Sequence, residues 1–240
     1  MADTERISVI IPARDEAAYL PGCVEAIRKS HTGLSIPLEI VVVINRCTDN
    51  TEEIALSLGC RVVHDDSKNL AEIRNCGVKA ATGEYIVTID ADSKMSKNML
   101  PKIVAALRSP TVVGGGVMMF PERYSVGIVL TYIMLVPIAL RYGIAGGVFF
   151  CRKQDFDDIG GFDPEYFSAE DIDFARRLKA HGKSRSQRFK ILLTSHIVTS
   201  CRKFDKFGDW YFLLHPLKFV RALKGRDREL ADKVWYDFPH

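Results

Sequence analysis

The 240-residue sequence predicts an α/β domain, a mostly parallel sheet flanked by helices, and three observations predict it. Its apolar strands are continuous rather than alternating, as expected for strands buried on both faces. Short helical segments separate them, which implies right-handed βαβ connections. Two carboxylates, Asp90 and Asp92, stand where one such strand stops, at the edge where open α/β sheets bind ligands.

The first strand is the apolar run at residues 7–11, followed by helical spacing at Leu20, Val24 and Ile27 within residues 16–28. Residues 38–44 form the second strand, 51–58 a helix closed by Gly59, and 61–64 a short third strand. A helix over 70–81, closed by Gly83, leads to the strand at 85–89. Either Asp90 or Asp92 simply ends this strand, with Ser93 or Ser96 capping a helix through Leu100, Ile103 and Leu107, or the pair holds a cation. Residues 112–120 and 146–151 read as strands, and Gly160-Gly161-Phe162-Asp163-Pro164 as a turn. Ser168 is the expected cap of a helix that opens with Glu170 and Asp171 and places Ile172, Ala175 and Leu178 on its apolar face. Acids stabilise a helix start in any protein, and Asp173 is expected to pair with Arg176 or Arg177.

With 47% hydrophobic and 26% charged residues the chain can bury a sizeable core. A net charge of +3 and a pI near 8.5 are too mild to imply a nucleic-acid partner. Six scattered cysteines without Cys-x-x-Cys spacing predict reduced, mostly buried thiols and a cytoplasmic location. Residues 126–140 are nearly all apolar, but Arg141 interrupts the run before the roughly 20 residues a membrane span needs. Gly143, Gly146 and Gly147 follow, so a buried or interfacial helix and then a strand are expected. The expected organisation is one domain over residues 1–203, with a donor half at about 6–110 and an acceptor half at about 111–203. A helical extension over 204–240 either packs on that domain or faces a membrane, since Trp210, Tyr211, Phe219 and Trp235 alternate with Lys218, Arg221, Lys224, Arg226 and Arg228.

Five ordered motifs over about residues 6–203 resemble the GT-A fold glycosyltransferases of family 2. Residues 8–16, Ser-Val-Ile-Ile-Pro-Ala-Arg-Asp-Glu, resemble the family's opening strand and Pro-x-x-Asn-Glu loop, with Asp15 in place of Asn. Thr48-Asp49-Asn50-Thr51 matches the end of the second-strand motif, and residues 69–77 resemble the segment before the metal strand. Asp90-Ala91-Asp92 matches the Asp-x-Asp motif, and Gly160-Gly161-Phe162-Asp163 with Glu170-Asp171 matches the turn and the motif that carries the base. Where the family commonly has Asp-Asp-Gly-Ser, this chain has Ile44-Asn45-Arg46-Cys47, so the base-contacting carboxylate is replaced by an amide.

The resemblance implies an inverting, metal-dependent transfer of sugar from a UDP- or GDP-linked donor to an acceptor hydroxyl. It implies Mn²⁺ or Mg²⁺ on Asp92 and Asp90, cations that prefer oxygen ligands, with His196 a lesser candidate for the metal shell. Asp171 is the implied base, which a helix start would keep ionised. Pro12, Ala13, Arg14, Glu16, Asn45, Lys68, Arg74, Asp90, Ala91, Glu170 and Arg202, the last beside Lys203, are the implied donor contacts. The apolar segment and the tail suit either a lipid-linked acceptor at the inner membrane face or a soluble glycan. Two other readings carry different expectations: a catalytically silent module that keeps the fold, and a sugar-nucleotide pyrophosphorylase, which would carry a Gly-rich basic loop where this chain has residues 12–16.

Overall fold

The computed structural model describes residues 5–142, 147–215 and 225, with side chains of 138–142 excepted. The chain runs β1 (Ile7–Ala13), α1 (Leu20–His31), β2 (Leu38–Ile44), α2 (Thr51–Ser57), β3 (Arg61–His64), α3 (Leu70–Ala80), β4 (Tyr85–Ile89), β5 (Ser93–Met95) and α4 (Met99–Leu107). It continues β6 (Val112–Pro121), α5 (Val126–Tyr142), β7 (Val148–Arg152), α6 (Lys153–Asp158), α7 (Glu170–Ser184), β8 (Arg188–Thr199), α8 (Arg202–Phe207) and α9 (Tyr211–Leu214). The described strands form one eight-stranded sheet in the order β3-β2-β1-β4-β7-β6-β8-β5.

Parallel pairing through β3, β2, β1 and β4 follows from their βαβ connections, and it puts the ends of β1, β2 and β4 on one edge. Strand β7 is antiparallel to both β4 and β6 and joins the two halves of the chain. One core cluster packs α1 and α4 against the sheet through Leu20, Val24, Ile27, Leu100, Ile103 and Leu107. The other packs α3 and α7 on the opposite face, around Phe149, Phe156, Phe162 and Phe174. All six cysteines are unpaired, and four of them are buried.

Several boundaries differ from the sequence expectation for identifiable reasons. Helix α1 starts at Leu20 rather than near Glu16, with Pro21 in its first turn, where its missing N–H costs nothing. Ser93 does not cap a helix; it opens the three-residue edge strand β5, and Ser96 exchanges hydrogen bonds with His196. Helix α4 begins after Asn98, which has φ 59°. Ser168 does not cap α7 either: Ala169 occupies that position with φ 56° and without a side-chain cap. Strand β8 was absent from the sequence reading because its register against β6 slips between Val117 and Met118, which destroys the alternation that marks a strand.

Helix α5 follows the apolar segment as expected, and no described helix is long and apolar enough to cross a membrane. Gly143, Gly146 and most of the 204–240 extension, including Lys218, Phe219, Arg221, Lys224, Arg226, Arg228 and Trp235, lie outside the described residues.

Candidate active site

Two loops at the carboxyl edge of the sheet brace each other. Asp15, with φ 52°, accepts hydrogen bonds on Oδ1 from the backbone of Thr48 (2.5 Å) and Asp49 (3.3 Å). In return Asp49 Oδ2 accepts from Ala17 N at 3.1 Å, and Thr51 Oγ1 accepts from Glu16 N at 2.8 Å. A carboxylate at position 15 serves this purpose as an acceptor of several N–H groups. The result holds Pro12, Ala13 and Arg14 in fixed relation to the end of β2, and turns Glu16 inward, where it is 5% exposed.

Arg202, at the start of α8, grips Glu16 with two bonds, Nη1 to Oε2 at 3.0 Å and Nη2 to Oε1 at 2.6 Å. The same Nη2 lies 3.3 Å from Asp92 Oδ2, and the guanidinium carbon stands 5.4 Å from the centre of the Tyr19 ring. On the other side of the Asp-x-Asp segment, Arg74 donates from Nη2 to Asp90 Oδ1 at 2.9 Å and from Nη1 to Glu170 Oε1 at 2.5 Å. Arg74 is 5% exposed and Glu170 6%. The site is therefore a row of charges, Glu16, Arg202, Asp92, then Asp90, Arg74, Glu170, assembled from the loops after β1 and β4, the first residues of α7 and α8, and α3. Buried charges of one sign are tolerable only in such a paired arrangement.

Burial pushes the Glu16 carboxyl up to about 7, against the pull of Arg202. Burial raises Asp92 as well; the charge of Asp90 adds to the rise while Arg202 and Lys203 oppose it. Lys203 is drawn into the same field: burial lowers its pKa, and Asp92 and Asp90 work against that. Asp171 accepts from Ile172 N at 2.8 Å. Burial raises its carboxyl above the ordinary aspartate range, helped by Glu170 and opposed by Arg74. This corrects the expectation that the helix start alone sets the protonation of Asp171, because desolvation outweighs the helix N–H groups.

The donor set at Asp90 and Asp92 is all oxygen, and the charge of Asp90 adds to the cost of ionising Asp92. Both properties fit a hard divalent cation such as Mg²⁺ or Mn²⁺. Asp90 takes Arg74 on one oxygen and remains 41% exposed, so it is accessible from the mouth of the site. Ala91 between them is buried. His196 is not among these ligands. It is exposed beside Ser96, edge-on to Phe120 at 5.5 Å, while Asp92 lies beside Ser200 beyond the other end of the β5–β8 pairing. Among the described residues, three-residue groups close enough to hold a metal occur elsewhere, at Asp15, Cys47 and Asp49 and at Asp155, Asp158 and His181. Arg152 and Arg185 already pair with Asp155 in the second of them.

Asn45 also departs from its expected role as a base contact. Its amide nitrogen donates to the carbonyls of Asp65 (2.6 Å) and Ser67 (2.9 Å), and its oxygen accepts from Arg46. The amide thus ties the end of β2 to the loop before α3. Lys68 is exposed on that loop. Asp173 pairs with Arg176 and Arg177 as expected.

The sequence reading missed Asn69 and Asn75. Asn69 caps α3 by accepting from Ala71 N and Glu72 N, and donates to Pro164 O at 2.7 Å. Asn75 accepts from Phe162 N at 2.9 Å and donates to Phe162 O at 2.8 Å, which pins the Gly160-Gly161-Phe162 turn. The cap was legible as an Asn before an apolar run; the Asn75 contact spans 87 positions and leaves no local signal. On α5, burial raises the phenol of Tyr132, with smaller contributions from Cys201, Tyr124 and Asp92.

The profile described as glycosyl transferase family 2 matches residues 8–162, and one described as the N-terminal domain of galactosyltransferase matches residues 138–201. Over 226 residues the chain is 28% identical to the PGL/p-HBAD biosynthesis glycosyltransferase of Mycobacterium bovis BCG, covering 90% of this chain and 83% of that protein. Over 103 residues it is 37% identical to glycosyltransferase GlyG of Streptococcus pneumoniae serotype 4, covering 40% of this chain and 33% of GlyG, so the match spans a third of that relative's length. The fold is similar to that of the mannosyltransferase PcManGT from Pyrobaculum calidifontis in complex with GDP-Man and Mn²⁺. That match has a TM-score of 0.64 and 19% identity, covering 97% of this chain and 70% of the other.

Proposed function

From the premise that the chain belongs to glycosyl transferase family 2, we propose that it transfers a sugar from a UDP- or GDP-linked donor to an acceptor hydroxyl, with inversion at the anomeric carbon. The observation that carries this reading is the bridging of Asp90 and Glu170 by Arg74, because one guanidinium links the donor-side motif to the segment bearing the base. A divalent cation bound by Asp92 and Asp90 would neutralise charge growing on the diphosphate leaving group. PcManGT, described with GDP-Man and Mn²⁺, supports both the donor class and the cation.

Asp171 acts as the base. Its carboxylate takes the acceptor's proton as the hydroxyl oxygen attacks the anomeric carbon, and the bond to the diphosphate breaks with its electron pair leaving on the diphosphate oxygen. Arg202 and Lys203 place positive charge beside Asp92, where guanidinium geometry suits phosphate oxygens. Pro12, Ala13, Arg14 and the Glu16 loop form the wall of the donor cleft, with Lys68 at its rim. The donor half is proposed over about residues 6–110 and the acceptor half over about 111–203.

Titration of UDP and GDP with and without Mn²⁺, on wild type, Asp92→Ala and Asp171→Asn, tests this reading. Binding of one nucleotide is expected to need metal and Asp92, and Asp171→Asn is expected to bind but lose turnover by about 10² to 10⁴. Absent or metal-independent nucleotide binding would favour the catalytically silent module.

A further inference from the structure

Arg202 holds two carboxylates that belong to different parts of the site. Its fork on Glu16, at 3.0 and 2.6 Å, joins the loop after β1 to the start of α8. Nη2 of the same guanidinium lies 3.3 Å from Asp92 Oδ2. The other oxygen of Asp92 faces the hydroxyls of Ser93 and Thr199 at 3.4 and 3.5 Å, both at the outer limit for a hydrogen bond. Oδ2 is therefore the oxygen that a guanidinium covers, and a cation on Asp92 must share it or displace its cover.

The two contacts of Arg202 are unequal. Charge-assisted bonds from nitrogen to carboxylate run about 2.7–2.9 Å, and a fork on one carboxylate is the strong form. By that measure Glu16 is the anchor of Arg202, and Asp92 is the contact that gives way first. Backbone bonds confine the movement to the side chain. Ser200 N donates to Asp92 O at 3.1 Å, and Arg202 N donates to Ser200 Oγ at 3.1 Å, so the start of α8 stays fastened to the Asp-x-Asp segment. Cys201 N donates to Glu122 Oε1 at 2.7 Å, a third tie on the same turn. Two inward carboxylates without a counter-ion are costly, and Arg202 meets that need before any dication arrives.

We propose that Arg202 is a stand-in cation that caps Asp92 while the donor is absent, and that Glu16 is the positioning residue that keeps this cap loose enough to exchange. When metal and donor load together, Arg202 leaves Asp92 for the diphosphate oxygens. Metal alone must compete with the guanidinium, whereas metal with a diphosphate gives it another partner. The site therefore favours the metal–nucleotide pair over the free ion, a coupling of two ligands through one side chain. The inference rests on the glycosyltransferase reading, because it needs a cation on Asp92 and a diphosphate beside it.

Mn²⁺ binding to the full chain, read from the electron paramagnetic resonance signal of the free ion with and without UDP or GDP, tests the proposal independently of turnover. Nucleotide-free Mn²⁺ affinity is expected to rise about tenfold in Arg202→Gln. It should rise severalfold in Arg202→Lys, whose single ammonium cannot span both carboxylates, and nucleotide affinity with Mn²⁺ present should fall in both. Glu16→Gln lets the guanidinium close on Asp92, so nucleotide-free Mn²⁺ affinity should drop severalfold, and this effect should vanish in an Arg202→Gln background. A Glu16→Gln effect that persists there would come from the lost charge alone, and an Arg202→Lys protein that matches wild type would reduce Arg202 to a fixed charge; either result overturns the proposal. If thermal unfolding shows that Arg202→Gln does not fold, Arg202→Lys takes its place in both comparisons, with the same signs expected. Metal-dependent nucleotide binding, with nucleotide-free Mn²⁺ affinity unmoved by the Arg202 variants, sinks the stand-in role alone. No nucleotide binding in any sample sinks the glycosyltransferase reading and this inference with it.

Discussion

Arg74 shows at the scale of one residue why the site is held together by charge rather than by packing. Its guanidinium is the shared partner of Asp90 and Glu170, and removing one member of a buried pair strands the others at a cost of roughly 3–5 kcal/mol. Arg74→Gln is therefore expected to lose stability on that order in urea unfolding. Arg74→Lys should recover only part of it, because one ammonium lacks the planar fork that spans two carboxylates. The raised pKa of Asp171 gives a second expectation. A protonated carboxyl cannot accept the acceptor's proton, so kcat/KM should fall as pH drops through the Asp171 pKa, with the acidic limb above the ordinary aspartate range. Glu170 is one cause of that elevation, so Glu170→Gln should move the limb to lower pH, and a pH–rate profile that stays in place would contradict the assignment. Asp171→Asn should cost about 10² to 10⁴ in kcat with donor affinity kept. These acids were legible in the sequence because Asp90, Asp92, Glu170 and Asp171 sit in short motifs. The inward turn of Asn45 was not, since it depends on where the carbonyls of Asp65 and Ser67 fall.

At the scale of elements, α3 organises the cleft more than any strand does. Asn69, Arg74 and Asn75 reach across to Pro164, Glu170 and Phe162, so the helix transmits the position of the parallel sheet to the segment that leads into Asp171, the proposed base. Gly77 lets it approach: a Cβ there would lie 2.3 Å from Ile10 Cγ2 and 2.7 Å from Val43 Cγ2. Helix propensity alone predicts that Gly77→Ala gains about 1 kcal/mol, whereas overpacking predicts a loss of about 1–3 kcal/mol. Two contacts under 3 Å from neighbours held in adjacent strands make overpacking the larger effect, so a lowered melting temperature is expected. Asn75→Ala leaves both Phe162 backbone groups without their partner and should cost about 1–3 kcal/mol. It should also lower kcat more than it weakens nucleotide binding. The sequence places helix α3 correctly, between residue 70 and the closing Gly83, but without its Asn69 cap. Strand β8 was not legible, because a twelve-residue strand with a slipped register looks like neither template, and its parallel partner β6 is far away in sequence.

The described strands form one sheet, in which the parallel strands β1–β4 and the later strands meet where β7 runs antiparallel between β4 and β6. The parallel part was legible because each of its strands is separated from the next by a helix with its own period. The closing part was not, because antiparallel insertion of β7 and the edge strand β5 are set by long-range pairing. The same long-range logic appears at Gly225. Its carbonyl accepts from Phe167 N at 2.7 Å and from Ser168 N at 3.3 Å, immediately before Glu170 and Asp171. Gly225 has φ +74°, and a Cβ there would stand 2.4 Å from both Ser168 O and Tyr166 Cδ1. A side chain at this position must push against the backbone of the loop rather than a yielding side-chain tip, and it must do so in a conformation that only glycine adopts freely. Gly225→Ala should therefore shift the loop before Asp171, the proposed base, while leaving the loops after β1, β2 and β4 where they are. Displacement of a catalytic group by about 1 Å is worth on the order of 10² in rate, so single-turnover transfer should slow by roughly 10- to 100-fold with nucleotide affinity unchanged. Parallel loss of nucleotide binding would show that Gly225 supports the fold as a whole rather than the placement of Asp171.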